Sequence, residues 1–403
     1  MSWPLVRLGD CCEVISGATP KTDVDEYWGG DICWATPKDI SKLKSSDLFD
    51  TPGKITEKGF KSCSTKLLPI GTVIVSSRAP IGLVAIAGVE MCTNQGFKNL
   101  VPGPNLHSRY LYHCMKAKAA YLADLGNGAT FKEVSKSIVE NFEIPLPPLD
   151  HQRHIAKVLD KVSNIREKRY QAIQEINGLI RAVFIDFFGN PDSNPHQFLI
   201  GTIRELVESA NYGTSEKANE EVGRYPILRM NNITYEGGWN FSSIKYVDLD
   251  ETSAHKYLAK KGDLLFNRTN SKELVGKSAV YMLDEPMAIA GYLVRVRVNE
   301  FGNSHYVAAY LNSRHGKSTL QARAKSIVGM ANINAQEMQD IPILTPPIDL
   351  QNKFGAIVEA MSDRLKKLQI FSANAESLHD SLVHQFFENG YLEVSKHVNC
   401  IKN

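Results

Sequence analysis

The chain carries few residue combinations whose types and spacing could support catalysis. Gly276-Lys277-Ser278 could close a phosphate-binding loop, but that loop also needs a glycine five residues earlier, where Ser271 stands. His151 and His154 could share a metal ion, yet no cysteine or glutamate ligands gather beside them, so a solvated helix start is the simpler interpretation. The sequence therefore predicts neither a catalytic set nor a metal site.

Two proline pairs could belong to the loop that holds a flipped adenine in amino-methyltransferases. That loop has Asp or Asn before the prolines and an aromatic residue after them, whereas the contexts here are Leu146-Pro-Pro-Leu149 and Thr345-Pro-Pro-Ile348. No glycine-rich cofactor loop follows an obvious strand either. We therefore expect a protein that binds rather than one that catalyses.

Composition limits the class of protein without identifying its partner. The 403 residues suffice for two or more domains, and 43% hydrophobic with 22% charged residues is typical of a soluble protein. With no signal peptide and no long apolar run, we expect a cytoplasmic location without membrane contact. The net charge of +2 neither requires nor excludes nucleic acid. The seven cysteines form no Cys-x-x-Cys pair and are expected to be reduced.

Each proline pair opens a long segment with helical periodicity, and the two segments match in length. A separation of 199 residues joins Pro147 to Pro346 and also Phe187 to Phe386. The prolines prevent helix formation before the segment, and an aspartate just after them can cap its first turn. About 38 residues at about 1.5 Å each would give a rod of about 57 Å.

Apolar residues recur in both segments at alternating steps of three and four, the a/d pattern of a coiled coil. One such stripe is typical of a helix packed on its own domain. Two of equal length can instead bury their stripes against each other as an antiparallel pair, and the sequence predicts that pairing. The predicted seam residues are Ile155, Val158, Val162, Ile165, Ala172, Ile176, Leu179 and Val183 in the first segment and Phe354, Ile357, Met361, Leu368, Phe371, Ala375, Leu378 and Leu382 in the second.

The chain before the first helical segment predicts an α+β domain with a mainly antiparallel sheet or partial barrel. Short apolar runs, such as Gly71–Ser77 and Leu83–Ala87, are broken by turn residues and read as strands. A helix is predicted around Arg109–Leu125.

The chain between the two helical segments repeats the landmarks of the first domain. Leu228–Ile233 corresponds to Trp34–Ile40, and Arg268 follows a glycine-led strand as Arg78 does. The period of about 200 residues indicates a duplicated unit of domain plus helix, since the repeats of solenoids are shorter.

Two variable domains that each end in Pro-Pro-Leu/Ile-x-x-Gln before a long helix resemble the specificity subunits of type I restriction-modification systems. Gly262–Lys277 and Leu228–Ile233 also look like the corresponding stretches of such subunits. The resemblance implies an α+β fold in which the two helices pack as an antiparallel coiled coil with pseudo-twofold symmetry. Its implied regions are a first target-recognition domain at 1–146, a first long helix at 147–190, a second target-recognition domain at 191–345, a second long helix at 346–390 and a tail at 391–403.

The resemblance also implies function and partners. It implies a non-catalytic, sequence-specific subunit that reads a bipartite target in double-stranded DNA, one half-site per domain, and that binds two methyltransferase subunits and restriction subunits. No cofactor is expected in this chain, because S-adenosylmethionine, ATP and Mg²⁺ would belong to those partners. The alternative is a coiled-coil scaffold that joins proteins without reading DNA, which explains the helices but not two domains of matched plan and divergent sequence.

Residue chemistry supplies candidates for DNA contact. Asn and Gln match the major-groove edge of adenine, Arg matches guanine, and Lys and Ser tend to bind phosphates. For each candidate the alternative is a turn or strand-end residue that satisfies backbone groups. The candidates are Lys38, Asp39 and Arg78 in the first domain and Arg229, Asn231, Asn232, Arg268, Asn270 and Lys272 in the second.

Overall fold

The computed structural model describes residues 3–127, 132–327 and 329–387, with only the backbone described at 326 and 327. The predicted tail at 391–403, which includes Cys400, and the last three residues of the predicted second helix region lie outside the described residues. The described chain forms two compact units. Unit 1 comprises the residues up to Lys168 together with those from Ser372 onward, and unit 2 comprises Arg169–Phe371.

The domain of unit 1 alternates short strands with short helices. Its elements are β1 Leu5–Arg7, α1 Leu8–Cys11, β2 Cys12–Ser16, a 3-10 turn at Asp25–Tyr27, β3 Trp28–Ala35, α2 Pro37–Ser41, β4 Asp47–Leu48, β5 Lys54–Ile55, α3 Glu57–Lys61, β6 Val73–Ser76, β7 Val84–Ala87, β8 Cys92–Thr93, β9 Phe97–Pro102, α4 Ser108–Ala117, α5 Ala119–Asp124, α6 Lys136–Glu140 and β10 Glu143–Pro145. One sheet has the strand order β2-β9-β6-β7-β4, a second has β5-β3-β8, and β1 pairs with β10.

Unit 2 repeats this plan between the two long helices, α7 Leu149–Phe188 and α12 Ile348–Phe387. Its elements are β11 Ile200–Thr202, a 3-10 turn at Ile203–Leu206, β12 Val207–Tyr212, β13 Tyr225–Leu228, β14 Lys245–Val247, α8 Glu251–Tyr257, β15 Leu258–Ala259, β16 Leu264–Asn267, β17 Thr269–Asn270, β18 Ser278–Val280, β19 Met287–Ile289, β20 Leu293–Val298, α9 Ser304–Asn312, α10 Arg314–Arg323, β21 Lys325–Ile327, β22 Met330–Asn332, α11 Ala335–Gln339 and β23 Pro342–Leu344. Its sheets have the orders β12-β20-β16-β18, β14-β13-β19-β15 and β17-β22-β21, and β11 pairs with β23.

The predicted α+β class with mainly antiparallel pairing is confirmed. The predicted strands appear as β6 and β7, which pair antiparallel and bury β-branched side chains such as Val73 and Ile74. Parallel pairing occurs where β3 meets β8, where β4 meets β7 and where β13 meets β19. The helix predicted around Arg109–Leu125 is divided at Lys118 into α4 and α5.

Each long helix begins directly after its proline pair and runs for 40 residues. The start of α7 and the end of α12 belong to unit 1, whereas the end of α7 and the start of α12 belong to unit 2. Each unit therefore contains one domain, the start of the helix that follows it and the end of the other helix. This composition agrees with the internal repeat predicted from the sequence.

The two helices run antiparallel within each unit. In unit 1, Arg166 forms an ion pair of 3.1 Å with Glu376, while Ile155 near the start of α7 shares a core with Phe386 near the end of α12. In unit 2 the Arg169 guanidinium lies 5.6 Å from the centre of the Phe371 ring. The predicted antiparallel pair is confirmed.

The predicted a/d seam is only partly the buried face of the helices. Ile155, Val162, Phe354 and Ala375 are buried, whereas the predicted seam residues Ile165, Leu179, Phe371 and Leu378 are between 44% and 53% exposed. The predicted burial is wrong for those four, although Phe371 still contacts Arg169 of the other helix, because the helices bury other residues against the domains. The residues that fill the cores from the helices include Ala156, Leu159, Phe184, Phe188 and Val358.

A buried glutamine fastens the start of each helix to its own domain. The Gln152 carbonyl oxygen accepts the His107 amide hydrogen at 2.8 Å, and its side-chain amide donates to the carbonyl oxygens of Asn105 at 2.9 Å and Pro147 at 2.7 Å. These bonds satisfy backbone groups beside α4 and at the proline pair, and the glutamine itself has no exposed surface.

Unit 2 contains the same arrangement. Gln351 accepts the Asn303 amide hydrogen at 3.0 Å and donates to the carbonyl oxygens of Phe301 at 3.1 Å and Pro346 at 2.8 Å. The glutamine that closes the repeated Pro-Pro-x-x-x-Gln sequence is therefore a structural residue that joins helix and domain.

We expect Gln351→Ala to lower the free energy of unfolding of unit 2 by about 2–4 kcal/mol, because three backbone groups lose their side-chain partner. Hydrogen exchange of unit 2 amides would measure the loss. The control Lys353→Ala, at an exposed position two residues farther along the helix, should change stability by less than about 0.5 kcal/mol. Equal effects of the two substitutions would contradict the structural role of Gln351.

Candidate nucleic-acid interface

One turn, closed by a hydrogen bond from a backbone amide to the side-chain oxygen three residues later, occurs in both domains and carries several of the predicted DNA-binding residues. In unit 1 the Asp39 carboxylate accepts the Thr36 amide hydrogen at 2.8 Å. In unit 2 the Asn232 side-chain oxygen accepts the Arg229 amide hydrogen at 2.8 Å. Asp39 and Asn232 therefore close equivalent turns.

The structure gives Asn232 and Asp39 local partners. Asn232 is 2% exposed, and its side-chain amide donates to the Asn240 carbonyl oxygen at 2.9 Å. Asp39 also accepts the Thr36 hydroxyl hydrogen at 2.7 Å, and the two residues form a capping box at the start of α2 through reciprocal side chain–backbone contacts. Lys38 and Asn231, which occupy the position just before these residues, are exposed. Each turn thus presents one side chain to solvent and uses the next to hold its shape.

Strand register fixes which residues of the two domains correspond. The Ser77 amide donates to the Gly96 carbonyl oxygen at 2.7 Å, and the Arg268 amide donates to the Tyr292 carbonyl oxygen at 3.0 Å at the same place between paired strands. Arg268 therefore corresponds to Ser77. Arg78, which also follows a glycine-led strand as predicted, lies one residue farther along the chain than this equivalent position.

Arg78 is half-exposed and held by an acidic partner. Its Nε atom lies 3.0 Å from a carboxylate oxygen of Glu133, whose other oxygen lies 3.7 Å from the buried Lys98 ammonium. Burial lowers the pKa of Lys98, and Glu133 opposes that shift. The first domain thus places two cations around one carboxylate beside the end of β6.

A cavity of about 470 Å³ in unit 2 brings together three of the predicted residues, Arg229, Asn231 and Arg268. Arg229 donates to the Ser243 carbonyl oxygen at 3.0 Å. Arg268 lies 4.9 Å from the centre of the Tyr212 ring and donates to the Asn332 side-chain oxygen at 3.3 Å. These contacts fix both side chains at the cavity wall.

The two arginines retain hydrogen-bonding capacity. Their Nε atoms are buried and meet no hydrogen-bond acceptor among the described residues, so contact with DNA would fall to the terminal nitrogens of these partly exposed side chains. Because a guanidinium has five N–H donors in a planar fork, it can bind a guanine edge or a phosphate through two parallel hydrogen bonds. The cavity is therefore a concave, donor-rich surface.

Asn270 and Lys272 lie outside the residues that line this cavity. The Asn270 side-chain oxygen accepts the Ser271 amide hydrogen at 2.9 Å, whereas Lys272 is exposed on the loop that follows. Residue-type reasoning missed several other cavity residues, among them Glu216 and Tyr292. The signal that could have found Glu216 is its place three residues after Gly213, which corresponds to Gly17 in the first domain because both backbone amides bond to the same place on the paired strand.

The residues around the cavity show no metal-ligand arrangement. Within 3–127, 132–327 and 329–387, no group of three or more His, Cys, Asp or Glu residues could hold a metal ion. In the same ranges, no helix has both the length and the apolar composition that crossing a bilayer requires.

Comparison with known proteins places this geometry in a family. Residues 2–177 and 195–372 match, as two copies, the family described as the type I restriction modification DNA specificity domain. The chain belongs to this family. The two matches each contain one domain and the first part of the helix that follows it, so the type I specificity domain is the repeated unit. Membership supports DNA recognition and gives no support to the alternative of a scaffold that does not read DNA.

Individual relatives carry the same description. The type I restriction enzyme MjaIX specificity subunit of Methanocaldococcus jannaschii is 28% identical over 407 residues, covering 94% of this chain and 92% of that protein. The type I restriction enzyme EcoKI specificity subunit of Escherichia coli is 22% identical, covering 81% of this chain and 74% of that protein. The crystal structure of the type I restriction-modification S subunit from M. genitalium matches the fold with a TM-score of 0.62 at 16% identity and covers 96% of both chains.

Proposed function

We propose that this type I specificity chain reads a bipartite DNA target, with one half-site bound by the domain of unit 1 and the other by the domain of unit 2. The observation that carries the proposal is the equivalent turn in both domains, which keeps its hydrogen bond from a backbone amide to a side-chain oxygen but exposes Lys38 in one and Asn231 in the other. A shared frame with different exposed side chains is the arrangement expected of two readers for two sequences.

Several contacted base pairs are needed for a rare site. Each mismatched base pair costs about 1–3 kcal/mol in a typical protein–DNA complex, so one short contact region discriminates weakly against a genome of competing sites. Two domains in one chain add their contacts. The proposed direct contacts come from the exposed or cavity-lining residues Lys38, Arg78, Arg229, Asn231 and Arg268, with Asn270 and Lys272 beside them. Asp39 and Asn232 would act by holding the turns.

The decisive experiment exchanges one domain. Replacing residues 1–146 by the equivalent segment of a relative with a different target should change one half-site and leave the other. Mapping modified adenines in host DNA would read both halves, with the unexchanged chain as control. A change in both halves would show that the domains are not independent readers.

The partners and chemistry belong to the same proposal. The chain would bind two methyltransferase subunits and restriction subunits, which would supply S-adenosylmethionine, ATP and Mg²⁺ chemistry, and it would itself hold no cofactor. The motivation is the absence from the sequence of a glycine-rich cofactor loop and of a complete phosphate loop.

We therefore expect the purified chain to transfer no methyl group to DNA when S-adenosylmethionine is added. Adding the methyltransferase subunits should start transfer at one defined target. Methylation by the isolated chain, measured with labelled methyl donor, would contradict the non-catalytic assignment.

Arg268→Ala should lose about 1–3 kcal/mol of discrimination at one base pair of the second half-site, because a bidentate contact to a base would be removed. Competition binding at two salt concentrations would measure this in the complex with methyltransferase subunits. The comparison variant Lys272→Ala should instead weaken binding to all sequences alike and reduce the salt slope by about 1. If Arg268→Ala behaves as Lys272→Ala does, the arginine contacts phosphate and not a base.

A further inference from the structure

Lys277 is a buried lysine that lies beneath the turn Arg229–Ile233. Its ammonium donates to the carbonyl oxygen of Met230 at 3.0 Å and to that of Ile233 at 2.5 Å. Burial lowers the pKa of Lys277. A buried ammonium is costly unless hydrogen bonds compensate it, and here the compensating acceptors are the two carbonyl groups of the turn.

Asn267 fastens the same turn from a neighbouring strand. Its side chain is fully buried, and its amide donates to the Met230 carbonyl oxygen at 3.3 Å. Asn267 is the last residue of β16. Its backbone amide donates a hydrogen bond to the Lys277 carbonyl oxygen at 2.9 Å. Because Arg268 follows directly in the chain, the end of β16 holds both the turn and the cavity arginine.

The first domain holds its equivalent turn differently. The strand register places Leu83 where unit 2 has Lys277, because the Ser76 amide donates to the Leu83 carbonyl oxygen as the Asn267 amide does to that of Lys277. Leucine cannot donate to a carbonyl group, and in that domain the Thr36–Asp39 capping box closes the turn. The support by Lys277 is therefore particular to the second domain.

We propose that Lys277 is a positioning residue for recognition of the second half-site. It holds the carbonyl groups on either side of Asn231 and thereby fixes Asn231 and Arg229 relative to Arg268. The inference rests on the proposed function, since it requires that these side chains read DNA. It assigns a role to the lysine of Gly276-Lys277-Ser278, the sequence that resembles the end of a phosphate loop.

The test uses the full chain in complex with its methyltransferase subunits and the target defined by adenine mapping. Lys277→Met keeps most of the apolar stem and removes the ammonium. We expect discrimination between matched and mismatched second half-sites to fall about tenfold. Discrimination at the first half-site should not change, which provides a control for folding and assembly in the same molecule. Lys261→Met, at a lysine that is 53% exposed beside Asp284, should change neither half-site.

Each other outcome has a defined meaning. Unchanged discrimination at the second half-site, with or without a lower melting temperature, would overturn the proposal and leave Lys277 a purely stabilising residue. If Lys277→Met fails to fold, Asn267→Ala decides, because it removes the second donor to Met230 together with an oxygen that has no partner among the described residues. If Asn267→Ala lowers discrimination by less than tenfold and only at the second half-site, the proposal is supported. If Asn267→Ala leaves discrimination at the second half-site unchanged, the proposal is overturned. Failure of the unsubstituted complex to discriminate either half-site would overturn the proposed function instead.

Discussion

The buried glutamine at the start of each long helix is the interaction on which the rest of each unit depends. A helix that follows two prolines has unsatisfied amide groups at its first turn, and the preceding chain has carbonyl groups that no helix can use. Gln152 and Gln351 each bond to the proline pair and to the loop before a domain helix, so they fix where the long helix leaves its domain. In unit 2 the end of the other long helix packs on the same domain, with the Phe188 ring 4.6 Å from the Tyr306 ring.

The domains separate the task of holding a turn from the task of presenting a side chain. The hydrogen bond from Thr36 to Asp39 and that from Arg229 to Asn232 have the same geometry although the four residues differ. The carboxylate and the amide oxygen are equivalent acceptors for one backbone amide hydrogen. Asp39 and Asn232 can therefore share a structural role, while Lys38 and Asn231 beside them differ in charge and in the DNA groups they suit.

Local signals in the sequence predicted the fold well, and long-range packing explains what they missed. Proline acts on the residues next to it, so the predicted helix regions enclose the observed helices Leu149–Phe188 and Ile348–Phe387 within a few residues. The a/d pattern predicted the burial of individual helix residues less well. A heptad pattern does not indicate which stretch of a helix packs against a domain. Ile165 and Leu179 fit the pattern but remain exposed, whereas Phe184 is buried. The sequence indicated the loops that carry the candidate residues. That Arg268 is equivalent in position to Ser77 could be seen only from the strand register.

That register has a chemical consequence for how the two domains meet DNA. Unit 2 places Arg268 at the strand end, stacked on Tyr212, and its Nε atom meets no acceptor among the described residues. Unit 1 has a serine at that position, and the nearby cations Arg78 and Lys98 share the carboxylate of Glu133. A cation that is paired with a carboxylate must give up or share that contact before it can bind a phosphate or a guanine edge. This requirement reduces the favourable free energy that the cation can add to DNA binding. Under the proposed function, we expect the second domain to rely on its cavity arginines and the first to rely more on the exposed turn at Lys38. The two repeats share one scaffold and carry different side chains at these positions.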